Sequence, residues 1–141
     1  MLVLIQLAES DAQILECFSI LSQLYSHLEQ EKFLAQFHRQ QQNGYQLTFI
    51  KVDDRVVAVA GFCVYECFAW GQSLYIYDLV VDKTMRSQRY GQHIFSWLIE
   101  YAKLHHCTQL KLDSGVQRFD AHRFYFQQRM KISSHHFSLD L

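Results

Sequence analysis

The run Val80-Val81-Asp82-Lys83-Thr84-Met85-Arg86-Ser87-Gln88-Arg89-Tyr90-Gly91-Gln92-His93 takes an apolar strand end through a basic, glycine-bearing turn into an amphipathic helix. Backbone N–H groups at a helix start, reinforced by the positive end of the helix dipole, bind phosphate oxygens. Arg86 and Arg89 add full charges, so the chemistry written here is anion binding. A second kind of chemistry sits in two long apolar stretches, where Asp78 and Glu66 are the only acids. Carboxylates buried without partners are costly. Both therefore mark candidate site residues, the alternative being a strand acid that is hydrogen-bonded to backbone or exposed at a bulge. Metal chemistry is disfavoured. On a strand, Cys63 and Cys67 would lie roughly 13 Å apart, whereas a shared zinc needs each sulfur at about 2.3 Å. The pairs His105-His106 and His135-His136 would alternate faces or simply complement a helix dipole.

These residues need elements to hold them. Residues 2–7 read as a strand. Ser10 and Gln13 form a capping-box pattern ahead of Ile14, Leu15, Phe18 and Leu21. A second helix is expected over 29–42, ended by Asn43-Gly44 in the manner of a left-handed cap. Strands at 46–52 and 56–70 flank the polar turn Asp53-Asp54-Arg55, and Gly71-Gln72 turns the chain into a strand at 73–81. The 56–70 run is apolar on both faces, as a central strand should be. Ile94, Phe95, Leu98, Ile99 and Ala102 recur at helical spacing and predict a helix over 90–105. A strand at 110–113, a helix at 120–128 and a closing strand at 131–141 complete the order βααβββαβαβ. The class is α/β (α+β), with a mixed, mostly antiparallel sheet flanked by helices.

With 141 residues, 50% of them hydrophobic and 19% charged, the chain is expected to be a single globular domain over residues 1–141. A formal net charge of −1 offers no field for a polyanion, so nucleic acid is not an expected partner. The longest apolar stretch is broken by Glu66 and too short to span a bilayer. The N-terminus lacks a basic leader, so a cytoplasmic location is expected, with Cys17, Cys63, Cys67 and Cys107 as free thiols. The segment His135 to Leu141 could pair across a homodimer.

Element order and two local motifs together resemble the GNAT superfamily of acyl-CoA-dependent N-acyltransferases, over essentially the whole chain. The first motif is Arg86-Ser87-Gln88-Arg89-Tyr90-Gly91, five residues past Val81. It resembles the family's cofactor loop, with Arg89 where the first glycine is usual. The second is Ala121-His122-Arg123-Phe124-Tyr125, which resembles the family's last helix. The wider run from Asp113 to Tyr125 is similar to aminoalkylphosphonate acetyltransferases. Three departures stand out: Arg89 itself, Lys83 where proline is frequent, and Arg129-Met130 in place of glycine and an aromatic. Without that glycine, the helix end is expected to turn another way.

The resemblance implies acetyl-CoA as co-substrate and a small-molecule amine as acceptor. Cofactor contacts would come from Leu79, Val80 and Val81, from Arg86, Ser87, Gln88, Arg89, Tyr90, Gly91, Gln92 and His93, and from Ser114, Ala121 and Phe124. Tyr125 would protonate the departing thiolate. Freeing a protonated alkylamine costs about 4 kcal/mol, roughly 3 pKa units, so a base matters; Asp78 and Glu66 are the candidates, unless water relays the proton. Tyr25, His27 and Glu29 between the first helices, with Tyr65 and Tyr75 on the strands, would line the acceptor site. The competing reading is a non-catalytic module that senses acetyl-CoA or CoA, or a transferase acting on a protein amine.

Overall fold

The computed structural model describes residues 2–141. They form two compact units, one ending at Lys111 and one running from Leu112 to Leu141. In the first, β1 (Val3–Leu7) leads into α1 (Asp11–Glu16), α2 (Phe18–Leu24) and α3 (Gln30–Gln41). The chain then enters β2 (Gln46–Val52), β3 (Arg55–Cys67) and β4 (Gly71–Val81), followed by α4 (Tyr90–Leu104). β5 (Gln109–Leu112) precedes α5 (Phe119–Gln127). The sheet order is β1-β2-β3-β4-β5, and the first four strands pair antiparallel.

Local chemistry accounts for these boundaries. The expected capping box opens α1: Ser10 Oγ accepts from Gln13 N at 3.2 Å, and Gln13 Oε1 accepts from Ser10 N at 3.1 Å. The single helix expected to carry Ile14, Leu15, Phe18 and Leu21 breaks at Cys17, whose N–H bonds Ile14 O rather than the carbonyl four residues back. Gly44, at φ +93°, ends α3 as expected. Asp53 and Asp54, both at positive φ, form the two-residue hairpin turn. The β3–β4 turn falls at residues 68–70, not at Gly71-Gln72, which instead pair with Cys67 and Glu66.

β3 is central and covered on both faces. Towards α1, α2 and α3 lie Leu47, Phe49, Val59 and Val80, packed with Ile14, Ile20, Leu21, Phe33 and Phe37. Towards α4, Phe62 meets Trp97 and Tyr101 in edge contacts with ring centroids 6.1 and 5.1 Å apart. Ile94 and Leu98 of α4 are fully buried. The register slips between Gly61 and Phe62: Gly61 faces Asp78 and Phe62 faces Ile76, which leaves Tyr77 as an extra residue in β4.

The second unit contains α5 and the segment after it. Residues 131–141 form no strand, contrary to the alternation in their sequence. Alternation makes a strand only where one face is buried on a partner, and here Ile132, Phe137, Leu139 and Leu141 are all exposed. His136 instead pairs with Asp113 at 3.1 Å.

Candidate active site

Asp78 is the centre of the polar chemistry in the first unit. It is buried on β4, and both carboxylate oxygens accept from tyrosines: Oδ1 from Tyr25 Oη at 2.5 Å and Oδ2 from Tyr45 Oη. Burial raises its pKa above the ordinary carboxylate value, and the two phenol hydrogen bonds pull it partly back. Burial, and then the adjacent negative charge, raise the Tyr45 phenol well above its usual range, so it remains a donor. Two features make room for this group. A Cβ on Gly61 would overlap Tyr45 Oη and Asp78 Oδ2, so any larger residue opposite Asp78 must displace that pair. The bulge at Tyr77 breaks the alternation of β4, so that Tyr77 and Asp78, though adjacent in sequence, both line one cavity of about 310 Å³.

The cavity lies between the sheet and the helical layer. Its wall includes Tyr25 and His27 from the α2–α3 connection, Phe33 and Phe37 from α3, and Tyr45 ahead of β2. Phe37 meets Tyr45 edge-on at 6.0 Å, and Tyr45 meets Tyr77 at the same distance. Of the residues expected at an acceptor site, Tyr25 and His27 belong to the lining and Glu29 does not; it holds the N-cap position of α3 without a side-chain cap bond and pairs with Lys32 at 2.7 Å. Tyr65 and Tyr75 pack beside the lining rather than in it: Tyr75 is 4.7 Å from Tyr77 in a tilted pair and 6.4 Å from Tyr65 edge-on, centroid to centroid. Glu66 is separated from Asp78. It is exposed near the far end of β3, opposite Gln72, so the buried-carboxylate argument does not apply to it.

At the other end of β4, Asp82 anchors the basic turn. Arg55 Nη2 donates to Oδ2 at 2.6 Å, and Gln23 Nε2 and Thr84 N donate to Oδ1 at 3.2 and 3.1 Å. Burial pushes the Asp82 carboxyl up, but the Thr84 amide, Arg55 and Gln23 outweigh it and hold the pKa at about 2. Beyond the anchor, Ser87 and Arg89 both have left-handed backbones, at φ +73° and +65°. Backbones that alternate in this way turn successive N–H groups inward into an anion-binding nest. The first bond of α4 is donated by His93 to Arg89 O, so the Tyr90 and Gly91 amides precede the helical ladder. Arg89 is the N-cap and makes no side-chain cap bond; the side chains of Arg86, Ser87, Gln88 and Arg89 are exposed.

In the second unit, Ser114 Oγ is buried and has no hydrogen-bond partner among the described residues. On α5, Ala121, Phe124 and Tyr125 are half-buried. Burial raises the Tyr125 phenol, with Arg118 acting against it.

Residues 13–130 match the model of the acetyltransferase (GNAT) family. The chain belongs to the GNAT family. It is an acyltransferase. It is 31% identical over 111 residues to the uncharacterized N-acetyltransferase YhdJ of Bacillus subtilis, an alignment that covers 78% of each chain. It is also 35% identical over 63 residues to the aminoalkylphosphonate N-acetyltransferase of Salmonella typhimurium, covering 45% of this chain and 41% of that one. Among solved structures, the aminoglycoside N-acetyltransferase AAC(6')-Iy, crystallised with CoA, superposes with a TM-score of 0.84. That match covers 100% of this chain and 97% of the other at 9% identity, which speaks to fold alone. GNAT members use acetyl-CoA. No helix among the described residues is long and apolar enough to cross a membrane.

The two arginines that stand where the resemblance expects glycine keep a glycine-like backbone. Arg89 takes the left-handed conformation that a glycine there would adopt, and so does Arg129, at φ +65°. The end of α5 therefore turns in the ordinary way, not by a substitute. Met130 N bonds Tyr125 O at 3.1 Å and Arg129 N bonds Phe126 O at 3.0 Å, the paired bonds of a Schellman cap. Three residues of the Asp78 centre escaped sequence reasoning: Tyr45, Gly61 and Tyr77. A lone glycine inside an apolar strand was the available signal for close approach; nothing local marks Tyr45.

Proposed function

We propose that this GNAT domain, over residues 1–141, transfers the acetyl group of acetyl-CoA to the primary amine of a small molecule by direct attack in a ternary complex. The observation that carries the reading is the Asp78 carboxylate, held by two tyrosines in an aromatic cavity of about 310 Å³. Its size is at the small end of the roughly 300–1,000 Å³ typical of ligand pockets.

Asp78 takes the proton that an alkylammonium must lose before it can attack. Burial raises its proton affinity towards that task. The freed nitrogen forms its bond to the thioester carbonyl carbon as the carbon–sulfur bond breaks. A backbone N–H of Leu79, Val80 or Val81 meets the charge that develops on the carbonyl oxygen. Tyr125 gives its proton to the departing thiolate and regains one from the new amide nitrogen. Burial keeps the Tyr125 phenol protonated at neutral pH, as a proton donor must be. The products are the amide and the CoA thiol, and the proton on Asp78 returns to water.

For the co-substrate, the amides of residues 88–93 and the exposed Arg86 and Arg89 suit a pyrophosphate and a 3′-phosphate. The left-handed pair Ser87 and Arg89 fits an anionic ligand; separately, the Ser114 hydroxyl, which has no hydrogen-bond partner among the described residues, suits a polar one. Acetyl-CoA supplies the activated acyl group; these residues supply only its grip. The test is a thermal-shift comparison of acetyl-CoA with CoA, followed by thiol release across an amine panel. We expect stabilisation by both and turnover of at least one amine. Stabilisation with no turnover on any amine would replace the enzyme by a sensor.

A further inference from the structure

Beyond the transfer itself, the lining of the Asp78 cavity specifies which amines it accepts. We infer that the acceptor is a monocationic primary amine with an uncharged, largely apolar body, of the arylalkylamine kind. The inference rests on reading this cavity as the acceptor site.

Charge is the first argument. Among the described residues that line the cavity, Asp78 is the only acid, and there is no lysine or arginine. One ammonium is matched by one carboxylate. A phosphonate or carboxylate on the same substrate would meet Asp78 as a like charge, with only the His27 imidazole able to oppose it; like charges brought together at an interface cost several kcal/mol. A diamine would bring a second ammonium to a wall without a second acid, where Gln36 and Gln40 already share a hydrogen bond of 2.9 Å. Those neutral amides suit a hydroxyl better than a charge.

The aromatic wall is the second argument. Phe33, Phe37, Tyr45 and Tyr77 present ring surface to the cavity beside the carboxylate. An acid flanked by aromatic faces is how proteins hold organic ammonium ions, because the ring quadrupole attracts the cation while the faces desolvate its carbon body. Similarity to an aminoalkylphosphonate N-acetyltransferase therefore does not extend to the acceptor. The phosphonate would find no guanidinium or ammonium here, the usual partners of such groups.

The experiment uses the intact protein with CoA bound. Binding of 2-phenylethylamine, tyramine, 2-aminoethylphosphonate, glycine and putrescine is measured by calorimetry, and the same compounds are assayed for thiol release with acetyl-CoA. We expect the two arylalkylamines to bind roughly 100-fold or more tightly than the phosphonate and glycine, and more tightly than putrescine. Asp78→Asn should weaken 2-phenylethylamine by about 10- to 100-fold yet leave its neutral analogue 2-phenylethanol within about 2-fold; a purely structural Asp78 would weaken both. Tighter binding of the phosphonate, of glycine or of the diamine overturns the inference and leaves the transferase reading intact, as does a panel in which no amine binds while other acceptors turn over. The expected binding order without thiol release upholds the acceptor class and removes the catalytic reading.

Discussion

Asp78 joins the chemistry to the backbone, and its neighbours make separable predictions. Its pKa is raised by burial, so the ionised, proton-accepting form is lost at a higher pH than for an ordinary carboxyl. The acid limb of kcat/KM should therefore fall at a pH above the usual aspartate value, and Asp78→Asn should erase that limb and lower kcat by about 100- to 1,000-fold. A pH–rate profile of both proteins checks this; an unchanged limb in the variant would assign the titration elsewhere. The stability sign runs the other way. A raised native pKa favours the fold at low pH, and that contribution is lost as pH rises through the native value, so Asp78→Asn should not unfold the protein at neutral pH. Gly61→Ala tests the packing: the added methyl collides with the Tyr45–Asp78 pair and should cost about 1–3 kcal/mol. The cost should shrink in a Tyr45→Phe background, measurable by a double-mutant cycle in urea. Asp78 was legible because a carboxylate in an apolar strand asks for an explanation. Tyr45 was not, because it lies ahead of β2 and reaches Asp78 only past Gly61 of the strand between them.

At the scale of elements, Arg89 and Arg129 show which departures from a family pattern matter. Both occupy left-handed positions, where a side chain costs roughly 1–2 kcal/mol relative to glycine. Arg129→Gly keeps the Schellman bonds and removes that strain, so it should raise stability by about 1 kcal/mol, or about 4 °C in Tm, with kcat/KM unchanged. Arg89→Gly should give a similar gain in stability. It also removes the exposed charge we assign to the CoA 3′-phosphate, so it should narrow the difference between CoA and dephospho-CoA binding; titration calorimetry with both ligands decides, and unchanged discrimination would remove that role. The two arginines thus separate strain from charge. The Ser10 capping box, the Gly44 cap, the Asp53-Asp54 turn and the central strand were legible because local residues dictate them. The break at Cys17 and the unpaired segment 131–141 were not, since the first turns on one hydrogen bond and the second on whether a partner strand exists.

For the molecule as a whole, the sheet divides labour between its faces. The α4 face is packed with Phe62, Ile94 and Leu98, whereas the opposite face opens into the Asp78 cavity and ends at the basic turn. What ties that face to the turn is the Asp82 cluster: Arg55 starts β3, Gln23 belongs to α2, and Thr84 and Lys83 begin the turn, with Lys83 N donating to Gln23 Oε1 at 2.9 Å. No sequence pattern announces it, because its members come from separate elements and look like ordinary surface residues. Its pKa, held at about 2, sets the sign of its effect. A depressed native value means the contribution is complete above the unfolded aspartate pKa and disappears as pH falls through about 2. Thermal melts between pH 5 and roughly pH 2 should therefore show a steep loss of stability in the wild type and a shallower one in Arg55→Ala, whose Asp82 has less to lose. If the cluster also positions the turn, Arg55→Ala should raise the KM for acetyl-CoA several-fold while kcat stays within about 2-fold, because binding is lost equally from the ground and transition states. A shallower acid melt without any change in KM would confine Asp82 to holding the fold together.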